Sequence, residues 1–459
     1  MAENLSELYK NGRIIGRANY IFTPEISSVI GSIHGSLFNE NETIVIGRDY
    51  HNDSRMLKRG YTSGVMGTGV NILNLSDCTY PLLQFTIRRF GASGGVYFSG
   101  GHLYSEDVGV RFVDAGGVEF SPSDVAKLIE AYDKYPKQIR RVEPSKIGQI
   151  TAIPQTQDIY IKSLEQFVDQ KKIKEAKLKI VIDCSYGPTG KITPLLLNDI
   201  GVDVIALNTH YRERSKVPVP SINTIRNTAD IVKASNSHLG LCFDVDGSRI
   251  LVLDENGLEV SYEDLLMLFI TFNKRIQQSK SNTVITTPSI SPIVKTFIEE
   301  SGFPVVQVEN YPGEISRKIR DLRACFAAAD TLKFYFPTFG PYSDGNFILL
   351  KILEIMADQK DLLSSVVKGF PKGIKINRTI AISESNIDNI HNRLIEFTEE
   401  QGFRYHDIIN ELKIIDEGVY TIIKVELYRN AIMISSEAED KNLATKMLNK
   451  ITQIIERFE

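Results

Sequence analysis

The chain has no surplus of positive charge: 53 Lys and Arg stand against 57 Asp and Glu, a formal net charge of −4. Affinity for a phosphate backbone comes mainly from clustered cations, so nucleic acid is not an expected partner. Cysteine is scarce as well. Cys78, Cys184, Cys242 and Cys325 are far apart and form no CxxC pair, which argues for reduced, packed thiols rather than a disulfide framework. No run approaches the roughly 18 apolar residues of a membrane span, so no membrane partner is expected. The opening Met-Ala-Glu-Asn-Leu-Ser has neither the basic region nor the apolar stretch of a secretory signal. A cytoplasmic location is the expectation.

What is present is material for several cores. At 459 residues, 42% hydrophobic and 24% charged, the chain exceeds the roughly 250 to 300 residues at which single cores stop growing. Apolar residues at helical spacing from Pro24 to Leu37 precede Ile44 to Gly47, which reads as a buried strand. Helices at Ser54 to Gly67 and Tyr80 to Phe90 then alternate with strands at Val70 to Leu75 and Gly95 to Phe98, the rhythm of a doubly wound sheet. The rhythm lapses over Tyr135 to Gln149. It restarts at Lys179 to Cys184, with strands at Leu239 to Asp246 and Ile250 to Leu253, and again at Thr283 to Thr287. In the last stretch, strands at Ile374 to Ser383, Leu412 to Ile415, Val419 to Glu426 and Ala431 to Ser435 are flanked by helices at Ile387 to Gln401 and Asp440 to Glu456, which suggests an α+β unit. The expected architecture is three similar mixed-sheet α/β domains at 1–148, 149–256 and 257–368, followed by a C-terminal α+β domain at 369–459.

The chemistry is expected in the stretch Gly94-Gly95-Val96-Tyr97-Phe98-Ser99-Gly100-Gly101-His102, which leads through an acidic loop into Asp107-Val108-Gly109-Val110-Arg111-Phe112. An apolar strand ends there in a Ser-Gly-Gly-His turn, the way α/β enzymes display a reactive group at a strand's carboxyl end. This stretch resembles the active-site loop of the α-D-phosphohexomutases, whose usual form is GGxxxTASHNPxxxNGxKF. Further matches are Thr23-Pro24-Glu25, Gly47-Arg48-Asp49, Asp183 to Gly187 and Glu437 to Asp440, so the resemblance covers nearly the whole chain and implies domains set around a central cleft. In the family, a phosphoserine gives its phosphoryl group to a bound sugar phosphate and later takes back the other one. That reaction needs a covalent carrier, a divalent cation, an acid/base group and an anchor for the second phosphate.

Laid on the family pattern, Gly101 stands where the phosphorylated serine should be, and it has no side-chain oxygen. His102 matches the family's histidine. Arg111 falls where a lysine serves in proton transfer, and a guanidinium holds phosphate well but is a poor general acid/base. Ser99 is the candidate displaced nucleophile, with hydrogen bonding to the loop backbone as the competing account. The metal loop reads Asp244-Val245-Asp246-Gly247-Ser248-Arg249 against the family's DGDGDR. Alternating carboxylates after a buried strand suit magnesium, but Ser248 replaces the third, so the resemblance implies a weakened Mg²⁺ site at Asp244, Asp246 and Ser248. An acidic strand-to-turn junction explains the same residues equally well.

Ala329 takes the place of the family's sugar-binding glutamate, leaving Asp330 and Thr331 as substrate-binding candidates or as a plain polar turn. Lys424 to Asn430 replaces the family's phosphate loop, RPSGTEP; Lys424 and Arg429 are its candidate cations, and an edge strand is the stronger reading of the run. Ile15 sits where the family's N-terminal loop has an arginine, with Arg13 close by. Taken together, these departures point to a phosphohexomutase-like protein of carbohydrate metabolism that lacks phosphoserine mutase turnover. It would retain binding of a phosphorylated sugar, or another small phosphorylated ligand, through His102, Arg111 and Arg249, or binding of a protein partner. The rival is an active phosphomannomutase/phosphoglucomutase-type enzyme with a relocated nucleophile, and the blandest alternative is an interaction protein with an empty cleft.

Overall fold

The computed structural model describes residues 5–10, 12–100, 107–134, 139–211, 220–382, 387–408, 411–416, 418–426 and 431–458. The described chain forms two compact units: Met1–Thr287 with Pro304–Lys368, and Pro288–Phe303 with Gly369–Glu459.

The first unit holds three sheets. The first runs in the order Tyr9–Lys10, Arg13–Arg17, Asp107–Asp114, Gly94–Ser99, Thr43–Arg48, Asn71–Asp77, Ile150–Ala152. Its last four strands are parallel neighbours, and Asp107–Asp114 returns antiparallel beside Gly94–Ser99. Ile44, Val45, Ile46, Val96, Tyr97 and Phe98 are fully buried, as continuous apolar runs in a sheet covered on both faces must be. Two helices on this sheet begin alike. Thr23 caps Pro24–Gly35 and Thr79 caps Tyr80–Phe90, each followed by a proline near the helix start, where its missing N–H costs nothing.

The second sheet has the order Glu259–Val260, Ile250–Leu253, Leu239–Phe243, Lys179–Asp183, Asp203–Leu207, and the third Val305–Gln307, Val284–Thr286, Phe326–Ala329, Lys333–Tyr335. Both combine parallel strands with antiparallel ones, two antiparallel pairings in the second sheet and one in the third, so the mixed α/β architecture read from the rhythm of the sequence is the one observed three times. The four cysteines are buried and free. Among the described residues, no helix is long and apolar enough to cross a membrane.

The second unit is an antiparallel five-stranded sheet, Ile374–Ala381, Ala431–Ala438, Val419–Glu426, Glu411–Asp416, Arg404–Ile408, with the helices Ile387–Glu400 and Lys441–Phe458. It is the expected α+β unit, with one correction. Val419–Glu426, which contains Lys424, is the central strand and not an edge. The strands Ile374–Ala381 and Arg404–Ile408 are the edges, and the second is the one the sequence reading lacked. Its polar sequence RYHDI gives little apolar alternation from which to read it.

Candidate functional site

The site is built on the Asp244–Arg249 turn between the strands Leu239–Phe243 and Ile250–Leu253. Gly247 turns the chain at φ +76°, a conformation that side chains resist. Asp244 Oδ1 accepts the Arg249 N–H and Asp246 Oδ1 accepts the Ser248 N–H, both at 3.0 Å, so each carboxylate shapes its own loop. Elements of all three sheets hold the turn. The Tyr80 N–H donates to the Asp246 carbonyl at 2.8 Å, the Ser343 hydroxyl to the Ser248 carbonyl at 2.7 Å, and the Gly345 N–H to the Gly247 carbonyl at 2.9 Å. A methyl group on Gly187 would meet the Val245 carbonyl at 2.3 Å, so the second sheet presses on the turn as well.

Charge is concentrated around this turn. Arg111, in mid-strand on Asp107–Asp114, places Nη2 2.7 Å from Asp246 Oδ2; the two side chains are only 2% and 1% exposed. Its guanidinium also stacks 4.6 Å from the Tyr80 ring centroid. Arg249 Nη1 lies 3.6 Å from Asp244 Oδ2, and the Ser248 hydroxyl donates to the same oxygen at 3.3 Å. Burial and the neighbouring Asp246 charge push the Asp244 carboxyl up to about 7, against the opposing pull of Arg249 and Lys333.

A second pair joins from the first sheet: Arg13 forks onto Glu119, Nε to Oε1 at 2.6 Å and Nη2 to Oε2 at 3.1 Å. Burial alone would raise Glu119, but Arg13 and then Arg111 hold it at about 2. Lys333, at the start of the strand Lys333–Tyr335, has its ammonium pushed down to about 7, first by burial and then by Arg249, Arg111 and Arg13. Around the turn, therefore, four cations (Arg13, Arg111, Arg249, Lys333) face three carboxylates (Glu119, Asp244, Asp246), and Lys333 is the one without an ion pair among the described residues.

The structure thus brings Arg111, Asp244, Asp246, Ser248 and Arg249 together at one turn. Ser99 is the last residue of Gly94–Ser99 and 1% exposed. The next residue, Gly100, donates its N–H to Asp49 Oδ2 at 3.0 Å, and Asp49 also pairs with His51 Nδ1 at 3.0 Å. Asp330 and Thr331 occupy the turn between the strands Phe326–Ala329 and Lys333–Tyr335, where the Thr331 hydroxyl accepts from Asn310 at 3.3 Å. Lys424 is exposed in the second unit. Gly101, His102 and Arg429 lie outside the described residues. Sequence reading missed Lys333, Glu119, Asp49 and Tyr80 as parts of this site. Asp49 alone had a signal, the Gly47-Arg48-Asp49 match; nothing local marks the others.

The domain descriptions "Phosphoglucomutase/phosphomannomutase, alpha/beta/alpha domain" I, II and III match residues 8–138, 158–257 and 262–373. A phosphoglucomutase/phosphomannomutase of Thermococcus kodakarensis is 24% identical over 461 residues, covering 98% of this chain and 99% of the relative. The crystal structure of a phosphoglucomutase/phosphomannomutase family protein from Burkholderia thailandensis superposes with a TM-score of 0.82 at 16% identity, over 99% of this chain and 98% of the other. N-acetylphosphoglucosamine mutase of Aspergillus fumigatus, solved in complex with GlcNAc-6P and magnesium, superposes with a TM-score of 0.56 at 11% identity, over 90% of this chain and 82% of its own. The chain belongs to the α-D-phosphohexomutase family of sugar phosphate mutases.

Proposed function

We propose that this protein keeps the phosphohexomutase fold as a binder of phosphorylated sugars and has lost, or nearly lost, phosphoserine mutase turnover. We assign four domains close to the boundaries 1–148, 149–256, 257–368 and 369–459, moved so that Ile150–Ala152 stays with the first sheet, Glu259–Val260 with the second, and Pro288–Phe303 with the last. The observation that carries the reading is the buried ion pair between Arg111 and Asp246. In the family's mechanism the carboxylates of this turn hold a divalent cation beside the phosphoserine. Here Asp246 is already neutralised by a guanidinium, Asp244 faces Arg249 and the Ser248 hydroxyl, and Ser248 supplies no third carboxylate. A hard cation would have to displace Arg111 from a buried site, so this donor set does not suit magnesium. Gly101 offers no hydroxyl to carry a phosphoryl group.

What remains is cationic. In this reading Arg249, partly exposed, and Lys333 receive a phosphate, and Arg111 neutralises Asp246. The burial of Ser99 speaks against the rival reading of a displaced nucleophile, because a transferring phosphoryl group must reach the hydroxyl in line.

A coupled mutase assay with glucose 1-phosphate and mannose 1-phosphate, magnesium and a hexose bisphosphate activator tests this. The expected result is no turnover, with thermal stabilisation by the sugar phosphates that is unaffected by chelator and weakened in Arg249→Met. Magnesium-dependent turnover abolished by Ser99→Ala would establish the rival, and absence of any sugar phosphate binding would overturn the binding role.

A further inference from the structure

A second concentration of cations lies at the far end of the first sheet from Ser99, where Asp114 pairs with Gly94. A cavity of about 560 Å³ opens there within the first compact unit. Arg88, Arg275, Arg320 and Arg323 line it, and no lining side chain is acidic. A chain of net charge −4 does not produce such a cluster by composition. Helix ends explain part of it. Arg88 lies in the last turn of Tyr80–Phe90 and Arg320 in that of Glu314–Leu322, where a cation offsets the partial negative charge of the free carbonyls. Arg275 falls likewise in the last turn of the short helix Lys274–Gln277.

Arg323 is informative in another way. It ends its helix at φ +52°, a left-handed conformation that glycine adopts without strain and that Lys360 also adopts at a helix end.

The guanidinium groups are also pre-set. Arg88 Nη1 donates to the Phe339 carbonyl at 2.9 Å, and Arg275 stacks 5.0 Å from the Phe167 ring centroid. Arg320 Nη1 stands 3.5 Å from Asp114 Oδ2, which offsets one of the four charges. Phe336, Ile276 and Ile319 line the cavity as well, beside Asn273, Ser279 and Thr338. Arginine forks match phosphate oxygens, and apolar side chains next to amide and hydroxyl groups suit a base, which has flat apolar faces and polar edges. We propose that this cavity binds a nucleoside phosphate, with the base on the Phe336 side and the phosphates among the arginines. Its volume lies within the usual range of about 300 to 1,000 Å³ for small-molecule sites.

Calorimetry with ATP and with adenosine, both without magnesium, tests this on the full chain. Three proteins suffice: wild type, Arg323→Gly and Arg249→Met. Arg323→Gly removes the guanidinium while relieving the backbone, so loss of binding in it cannot be put down to misfolding. The expected result is ATP binding by wild type and Arg249→Met alike, weakened at least about tenfold in Arg323→Gly, a difference of about 1.4 kcal/mol, and much weaker binding of adenosine. Absence of ATP binding, binding unchanged in Arg323→Gly, or binding lost only in Arg249→Met would each overturn the assignment. The last outcome would place the nucleotide at the acidic turn.

Discussion

Removing Arg111 would leave the Asp246 carboxylate without its guanidinium in a site where both side chains are nearly inaccessible to water. Arg111→Met should therefore destabilise the protein by about 3–5 kcal/mol in urea unfolding, and adding Asp246→Leu should recover much of that, since an apolar pair of similar volume replaces a buried ionic one. Two other carboxyls set opposite limbs of the pH–stability curve. Glu119 is held at about 2 against an ordinary 4.5, so its stabilisation is complete above about pH 4.5 and is lost as pH falls toward 2. Asp344, whose Oδ2 accepts from the Tyr160 hydroxyl at 2.6 Å, is pushed by burial up to about 6 from 3.8. Its contribution is complete below about pH 3.8 and is lost as pH rises through 6. Asp344→Asn keeps a helix-capping oxygen for the Asn346 and Phe347 N–H groups, so urea midpoints measured between pH 4 and 7 should fall less steeply than those of wild type, the remaining fall being that of Asp244. The acidic turn was legible because alternating carboxylates after an apolar strand form a local pattern. The Arg13–Glu119 pair spans 106 residues of chain, and no local pattern reports a contact of that kind.

The helices Pro24–Gly35 and Asn52–Met66 meet through glycines spaced four apart on each, Gly31 and Gly35 against Gly60 and Gly64. A methyl group on Gly64 would lie 1.9 Å from the Ser28 carbonyl, and one on Gly31 would lie 2.2 Å from the Tyr61 carbonyl. The close approach lets the Ser27 and Ser32 hydroxyls donate across the contact to the Leu57 and Gly64 carbonyls, at 2.7 and 3.3 Å. Gly64→Ala should cost at least the roughly 1–3 kcal/mol typical of overpacking. Gly402→Ala, at φ +68° but with nothing within 4 Å of the added carbon, should cost only the smaller backbone strain; thermal melts of the two variants decide. Apolar rhythm was enough to place helices and parallel strands, since each carries its own period. It was not enough for Val419–Glu426, which is interior because Glu411–Asp416 and Ala431–Ala438 pair on its two sides, and strand order is not written in apolar period.

The second compact unit is made of two separate pieces of chain. Contacts among the described residues tie its shorter piece, Pro288–Phe303, to the longer. The Ser291 hydroxyl donates to Glu437 Oε1 at 2.9 Å, the Tyr420 hydroxyl donates to the Pro288 carbonyl at 3.0 Å, and the Phe297 and Phe370 rings lie 5.9 Å apart. A fragment of residues 369–459 should therefore melt at a lower temperature alone than with the peptide 288–303 added in excess, as binding to the folded form alone requires. No change on adding the peptide would show that the two pieces are not energetically joined. Nothing in the linear sequence announces this division, because the helix Pro292–Glu300 follows the strand Val284–Thr286 just as an ordinary crossover would. The division has a consequence for biosynthesis. When that helix leaves the ribosome, most of the unit it belongs to has yet to be translated. At the usual roughly 5–20 residues per second, Val294 and Ile298, both buried in the finished protein, await their partners for some seconds to tens of seconds. In that interval the nascent chain presents an unpaired apolar helix to whatever chaperones attend it.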